Sequence, residues 1–154
     1  MNKKRNNKGF TLVELIVVMA IMAILIGALA PQVIKYVEKS RESKDLQVLN
    51  TVFTAAQTSL ASSEDSLESI ESETLADFLE ATYGAEALDI LIGEIAVPSG
   101  STKEVKAAEE IEAKLTSKKG KDNNIYISYD ATTNKITVAT KESATGDNLL
   151  TVTN

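Results

Sequence analysis

Between Leu15 and Ile34 the chain carries no charged residue. Wound into a helix at 1.5 Å per residue, that run extends about 30 Å, the thickness of a bilayer's hydrocarbon core. Apolar surface of this extent has to lie in lipid or against other apolar helices. The remaining roughly 120 residues must build their own core, enough for one small domain.

Charge flanks the run unequally. Lys3, Lys4, Arg5 and Lys8 precede it without an acid among them, and the mixed stretch "KYVEKSRESKD", residues 35–45, follows it. The bias of cytoplasmic segments toward cations places the N-terminus in the cytoplasm and the body outside. Net charge is -6, and without the four leading cations 12 basic residues face 22 acidic ones, or -10. An acidic body repels phosphate backbones, so no nucleic-acid partner is expected.

Past Pro31 the helical pattern resumes. Leu46, Leu49, Phe53, Ala56 and Leu60 recur at three- and four-residue steps, which predicts one helix over about residues 10–61 with an apolar stripe on its second half. Residues 62–73, "SSEDSLESIESE", are Ser-rich and acidic and read as a solvated connection. Thr74 with Asp77 forms a cap for a short helix through Leu79, residues 86–92 suggest another, and Pro98, Ser99 and Gly100 turn the chain. Ser101 with Glu104 opens a further helix, whose apolar face is Val105, Ala108, Ile111 and Leu115, and which ends before Gly120.

The period then changes to two. Ile125, Ile127 and Tyr129 alternate with Tyr126 and Ser128, and after "DATTN" Ile136 and Val138 alternate with Thr137 and Ala139. "SATGDN" is a second turn and "LLTVT" a third strand. The expected class is α+β: a long N-terminal helical stem, its first half spanning a membrane, packed on a C-terminal antiparallel sheet of about three strands. The divisions are 1–9 leader, 10–34 apolar helix, 35–61 amphipathic continuation and 62–154 globular head.

His and Cys are both absent, which removes the usual general base, the commonest metal ligand and the thiolate nucleophile. No phosphate-cradling or nucleophile-elbow motif is present either, so neither an enzyme nor a cofactor is expected. Glu64, Asp65, Glu68, Glu71 and Glu73, and separately Asp147 with Asn148, lack the ordered spacing of a calcium loop and read as solvated surface. No metal site is assigned.

Glu14 is the anomaly, a lone carboxylate near the start of the apolar run. A secretory signal peptide would use "ALA" at Ala28, Leu29 and Ala30 as a cleavage signal, but Pro31 follows the scissile bond and Glu14 charges the signal core. A plain anchor leaves Glu14 as a cost of about 2.5 to 3.5 kcal/mol at the bilayer centre, less near the interface. A third reading comes from "KGFTLVELIVVMAIMAILIGALAP", residues 8–31: a basic leader ending in Gly, then Phe-Thr-Leu-x-Glu and an apolar helix. This resembles type IV prepilins and the related pseudopilins.

The resemblance implies cleavage by prepilin peptidase between Gly9 and Phe10, N-methylation of Phe10, and polymerisation through the apolar helix. Thr11, Leu12 and Glu14 then serve assembly, with Glu14 meeting the Phe10 amine of a neighbouring subunit. Gly27 and Pro31 weaken the helix, giving either a fixed kink or a segment that melts in the filament. Implied partners are copies of the chain itself, the peptidase, an assembly platform protein, an ATPase motor, and the membrane before assembly. The implied location is the inner or cytoplasmic membrane and then a cell-surface pilus. A major pseudopilin of a secretion or competence system shares this N-terminus, so a type IV pilin and a pseudopilin both remain open here.

Overall fold

A computed structural model describes residues 9–63, 68–93 and 103–154. The leader before Gly9, Glu64 and Asp65 of the acidic segment, the turn at Pro98, Ser99 and Gly100, and Ser101 of the second cap lie outside the described residues. The elements are helix α1 (Leu12–Ser62), strand β1 (Ile70–Thr74), helix α2 (Leu75–Glu80), a 3₁₀ turn (Thr82–Gly84), helices α3 (Ala85–Gly93) and α4 (Lys103–Glu112), and strands β2 (Asn124–Asp130), β3 (Lys135–Lys141) and β4 (Leu150–Thr153). The α+β class and the long helix agree with the sequence reading.

The chain divides into two compact units, Met1–Val37 and Glu38–Asn154. In the first, every described residue is solvent-exposed, among them Leu12, Ile16, Met22 and Leu25. The helix there is held by its own backbone ladder rather than by tertiary packing.

The second unit has a core. Leu49, Val52, Leu75, Phe78, Ile125, Ile127 and Val138 are all fully buried, and they belong to one apolar cluster. On α1 the buried set is Asp45, Leu49, Val52, Ala55, Ala56, Ser59 and Leu60, whereas Leu46 and Phe53 of the expected stripe are only half-buried. The packing face is therefore rotated toward small residues. Ala55, Ala56 and Ser59 let the helix backbone approach its neighbours, and the Ser59 hydroxyl donates to the Tyr83 carbonyl.

The sheet has four strands in the order β1-β2-β3-β4, all antiparallel, one more than expected. The extra strand is β1, within the stretch read as a solvated connection. Its sequence, IESET, offers one apolar residue, Ile70, which is buried and pairs with Tyr129. Exposed Glu71 and half-buried Ser72 and Glu73 suit an edge strand, and pairing to β2 rather than intrinsic propensity makes this segment a strand.

Caps and turns follow local chemistry. The Thr74 hydroxyl accepts the Asp77 N–H at 3.2 Å and opens α2, as expected. Gly84 is required sterically, because a Cβ there would fall 1.8 Å from the Phe78 carbonyl oxygen. Tyr83 stacks obliquely on Phe78 and donates its hydroxyl to Glu73 at 2.7 Å, so that burial and the Glu73 carboxylate push the Tyr83 phenol upward. Between β2 and β3, Asp130 accepts the backbone and hydroxyl donors of Thr132 and Thr133, which lowers its carboxyl to about 2. Asn134 takes the left-handed conformation, φ 55°, that closes this hairpin.

Tyr126 is buried in the sheet beneath Lys141, whose ammonium lies 5.7 Å from the ring centroid, while Tyr129 is half-buried and donates to Asn134. Both pack on the sheet. Asn154 ties the last strand down, accepting the Ile136 N–H at 2.8 Å and donating to the Asn134 carbonyl at 3.1 Å.

Candidate functional site

The start of α1 is a reciprocal cap. Thr11 immediately precedes the helix, and its hydroxyl accepts the Glu14 N–H at 3.3 Å. In return, Glu14 Oε2 accepts the Thr11 N–H at 2.8 Å and the Thr11 hydroxyl at 2.7 Å. Glu14 is the third helical residue, the position from which a Glu side chain reaches back to the cap. The lone carboxylate of the apolar run is thus held within its own chain, at the helix end where the macrodipole favours negative charge.

The T-x-x-E spacing was available in the sequence, and the capping role of Thr11 follows from it alone. Reading Glu14 only as a charge in an apolar run obscured that second role. Among the described residues both donors to this carboxylate reach Oε2. Gly9 and Phe10 stand just outside the helix, both exposed, Phe10 at 91%. A cut between them would free an amine one residue before the Thr11 N–H that Glu14 already binds.

Leu12 opens α1 and is exposed, as are Gly27 and Pro31 further along. Pro31 lies inside α1, so the Gly27 carbonyl has no amide hydrogen four residues on to receive. A Cβ on Gly27 would meet nothing within 4 Å. Its lack of a side chain therefore answers no need within this chain, and it leaves a smooth spot where another helix backbone can approach closely. The structure places Gly9, Phe10, Thr11, Leu12 and Glu14 together at one helix end and Gly27 with Pro31 near its middle.

A second constellation was not foreseen. Asp45 is fully buried on α1 and accepts four donors: the backbone N–H groups of Thr116 and Ser117, each at 2.9 Å, the Ser117 hydroxyl at 2.5 Å and, more weakly, the Thr116 hydroxyl at 3.4 Å. One helical turn and two turns earlier, Glu42 pairs with Lys119 at 3.2 Å and Glu38 accepts the Lys118 N–H at 2.5 Å. Glu38, Glu42 and Asp45 are spaced i, i+4, i+7 and share one helix face. Gly120 completes the seat, because a Cβ there would fall 2.3 Å from Asp45 Oδ2. Three acids of residues 35–45 thus clasp this loop within the chain.

No group of three or more metal-ligating side chains occurs among the described residues. The second unit has one cleft beside Tyr129 and Asn154 and another beside Ser69 and Asp130, where Ser69 Oγ accepts the Ala131 N–H and the Asp130 carboxylate accepts the Thr132 and Thr133 hydroxyls.

Residues 4–30 match the family model described as the prokaryotic N-terminal methylation motif, the type IV prepilin signature. No curated protein and no solved structure matches the chain. The motif supports a type IV pilin-like or pseudopilin precursor, a structural subunit by type, processed by prepilin peptidase. α1 is long and apolar enough to cross a membrane, and none of its most apolar window is buried. Motif and helix together fit membrane insertion before assembly.

Proposed function

We infer that this chain is the structural subunit of a type IV pilus. Prepilin peptidase cuts after Gly9 on the cytoplasmic side, Phe10 is N-methylated, and the apolar half of α1 leaves the bilayer to pack with copies of itself in a filament core. The assembly platform and its ATPase motor drive that transfer. The observation that carries the reading is the methylation motif joined without interruption to an apolar helix that has no tertiary cover of its own.

The apolar half of the helix then has several tasks. Oε2 of Glu14 holds the Thr11 cap, and Oε1 is left for the Phe10 amine of a neighbouring subunit. In a water-poor core, an unpaired carboxylate is far costlier than a charge-assisted pair, so the offset between subunits that makes this pair is selected. Lipid and protein contacts differ little in energy for apolar side chains, which leaves close packing at small residues such as Gly27 to choose the arrangement. Pro31 supplies the weak point at which the helix yields when the filament is stretched.

Intact mass and N-terminal sequencing of protein sheared from its native cells test the reading. The expected product begins at Phe10 with one added methyl group and sediments as filaments. A product beginning at Pro31 or at Met1 overturns it in favour of a signal peptide or a permanent anchor.

A further inference from the structure

The charge of the second unit is segregated. The loop at residues 114–122 carries Lys114, Lys118, Lys119 and Lys121 against Asp122 alone, a net +3. Residues 38–45, on which it is seated, balance at three cations and three acids, while the rest of Glu38–Asn154 holds 4 basic and 17 acidic residues, or -13. The domain therefore has one basic region in an otherwise strongly acidic body.

The clasp makes that region more cationic at its surface than its composition suggests. Glu38, Glu42 and Asp45 turn onto the loop, where they are bound to Lys118 N–H, Lys119 and the Thr116–Ser117 amides. Lys39, Arg41 and Lys44 occupy the other sides of the same helical turns and are exposed, as are Lys114, Lys118 and Lys121. Within the clasp, Arg41 pairs with Glu38 at a loose 3.8 Å and Lys119 with Glu42. The acids are spent inward, and the ammonium groups of five lysines are left facing solvent.

The place of this surface in the chain indicates what it meets. The clasped helix segment begins at Glu38, shortly after the apolar run ends at Ile34, so these are the first residues of the domain to emerge from a bilayer that holds the run. A cation near an anionic leaflet gains about fivefold in local affinity, and several act together. A plain solvated surface has no need to consume three acids internally while leaving its lysines free.

We propose that the exposed lysines on and beside the clasp, Lys39, Lys44, Lys114, Lys118 and Lys121, rest on anionic phospholipid headgroups while the subunit waits in the membrane. Asp45 and Gly120 hold the loop in the position that presents it. Leaving the bilayer for a filament then requires release from headgroups as well as from the hydrocarbon core. This inference rests on the membrane insertion proposed above, and the test separates the two.

The full chain is reconstituted into vesicles of phosphatidylcholine alone and of phosphatidylcholine with phosphatidylglycerol. Insertion is read by resistance to alkaline carbonate, and lysine accessibility by amine-reactive labelling and mass spectrometry. Labelling at Lys39, Lys44, Lys114, Lys118 and Lys121 is expected to fall severalfold in the anionic vesicles only, and to recover when ionic strength is raised from about 0.1 M to about 1 M, as screening shortens from roughly 10 to 3 Å. Lys135, in the hairpin of β2 and β3, serves as the unaffected reference. An inserted chain labelled equally in both lipids overturns this proposal and leaves the membrane reading standing. Protection in both lipids that rises with protein density assigns the face to a second copy of the chain and likewise overturns it. Release of the chain by carbonate overturns the membrane reading itself, and this inference with it.

Discussion

Helix α1 lives under two regimes. Over residues 12–37 its large apolar side chains are exposed along the whole length, and over residues 38–62 much smaller ones, Ala55, Ala56 and Ser59, are buried against the domain's core. Hydrophobicity by itself does not tell the two apart, since the more apolar half is the uncovered one. What differs is the partner each half was built for: the first is uniform around its circumference, suited to lipid or to like helices, and the second has one face matched in shape and hydrogen bonding to its own chain.

The largest expected contrast is in side-chain truncation. Phe78→Ala, which opens a cavity in the domain core, should lower its stability by about 4 kcal/mol in guanidinium unfolding, whereas Leu25→Ala in the exposed half should leave the same midpoint unmoved. A shifted midpoint for Leu25→Ala would erase the distinction between the halves.

Next is Asp45→Ala. It removes the shared acceptor of two backbone amides and two hydroxyls in a buried seat, and a loss of about 3 kcal/mol is expected, with circular dichroism of the apolar helix in detergent unchanged. An unaltered stability would show that water replaces the carboxylate without cost.

Glu14 offers a sharper separation, because its two roles demand different chemistry. A capping box accepts Gln at the reach-back position, so Glu14→Gln preserves the helix start but removes the charge. Both Glu14→Ala and Glu14→Gln should cut filament yield by about tenfold or more while leaving leader cleavage intact, the magnitude of losing one charge-assisted hydrogen bond. Full yield from the Gln variant would reduce Glu14 to a cap.

The smallest effect concerns Asp130, whose folded carboxyl is lowered to about 2 by the Thr132 and Thr133 donors. A depressed carboxyl stabilises the fold above the ordinary aspartate range and loses that contribution as pH falls from about 4 toward 2. Titration of the Asp130 carboxyl by NMR should give a midpoint near 2 that rises toward the ordinary value when Thr132 and Thr133 are both changed to Val. No rise would mean that the hairpin backbone alone sets it.

Much of this was legible. The uncharged run, the Thr74–Asp77 cap and the change of period at Ile125 each rest on near neighbours in sequence, and the structure bears out the helices and three strands they foretold. β1 was missed because Glu71, Ser72 and Glu73 carry no strand signal, and the free edge of β2 confers it. Asp45 was unreadable for a similar reason. Within "KSRESKD" it is one charge among several, and its amide partners lie 71 and 72 residues away.

By itself, then, the sequence determined the apolar helix, its methylation motif, the capping pair of Thr11 and Glu14, and the α+β class, because periodicity and capping act over at most a few turns. Tertiary structure alone decided that the helix face rotates onto Ala55 and Ser59, that an acidic stretch becomes a sheet edge, and that Glu38, Glu42 and Asp45 turn inward onto residues 116–120. Those outcomes depend on which donors and apolar surfaces remain unsatisfied once the rest of the chain has folded, and no local pattern records that.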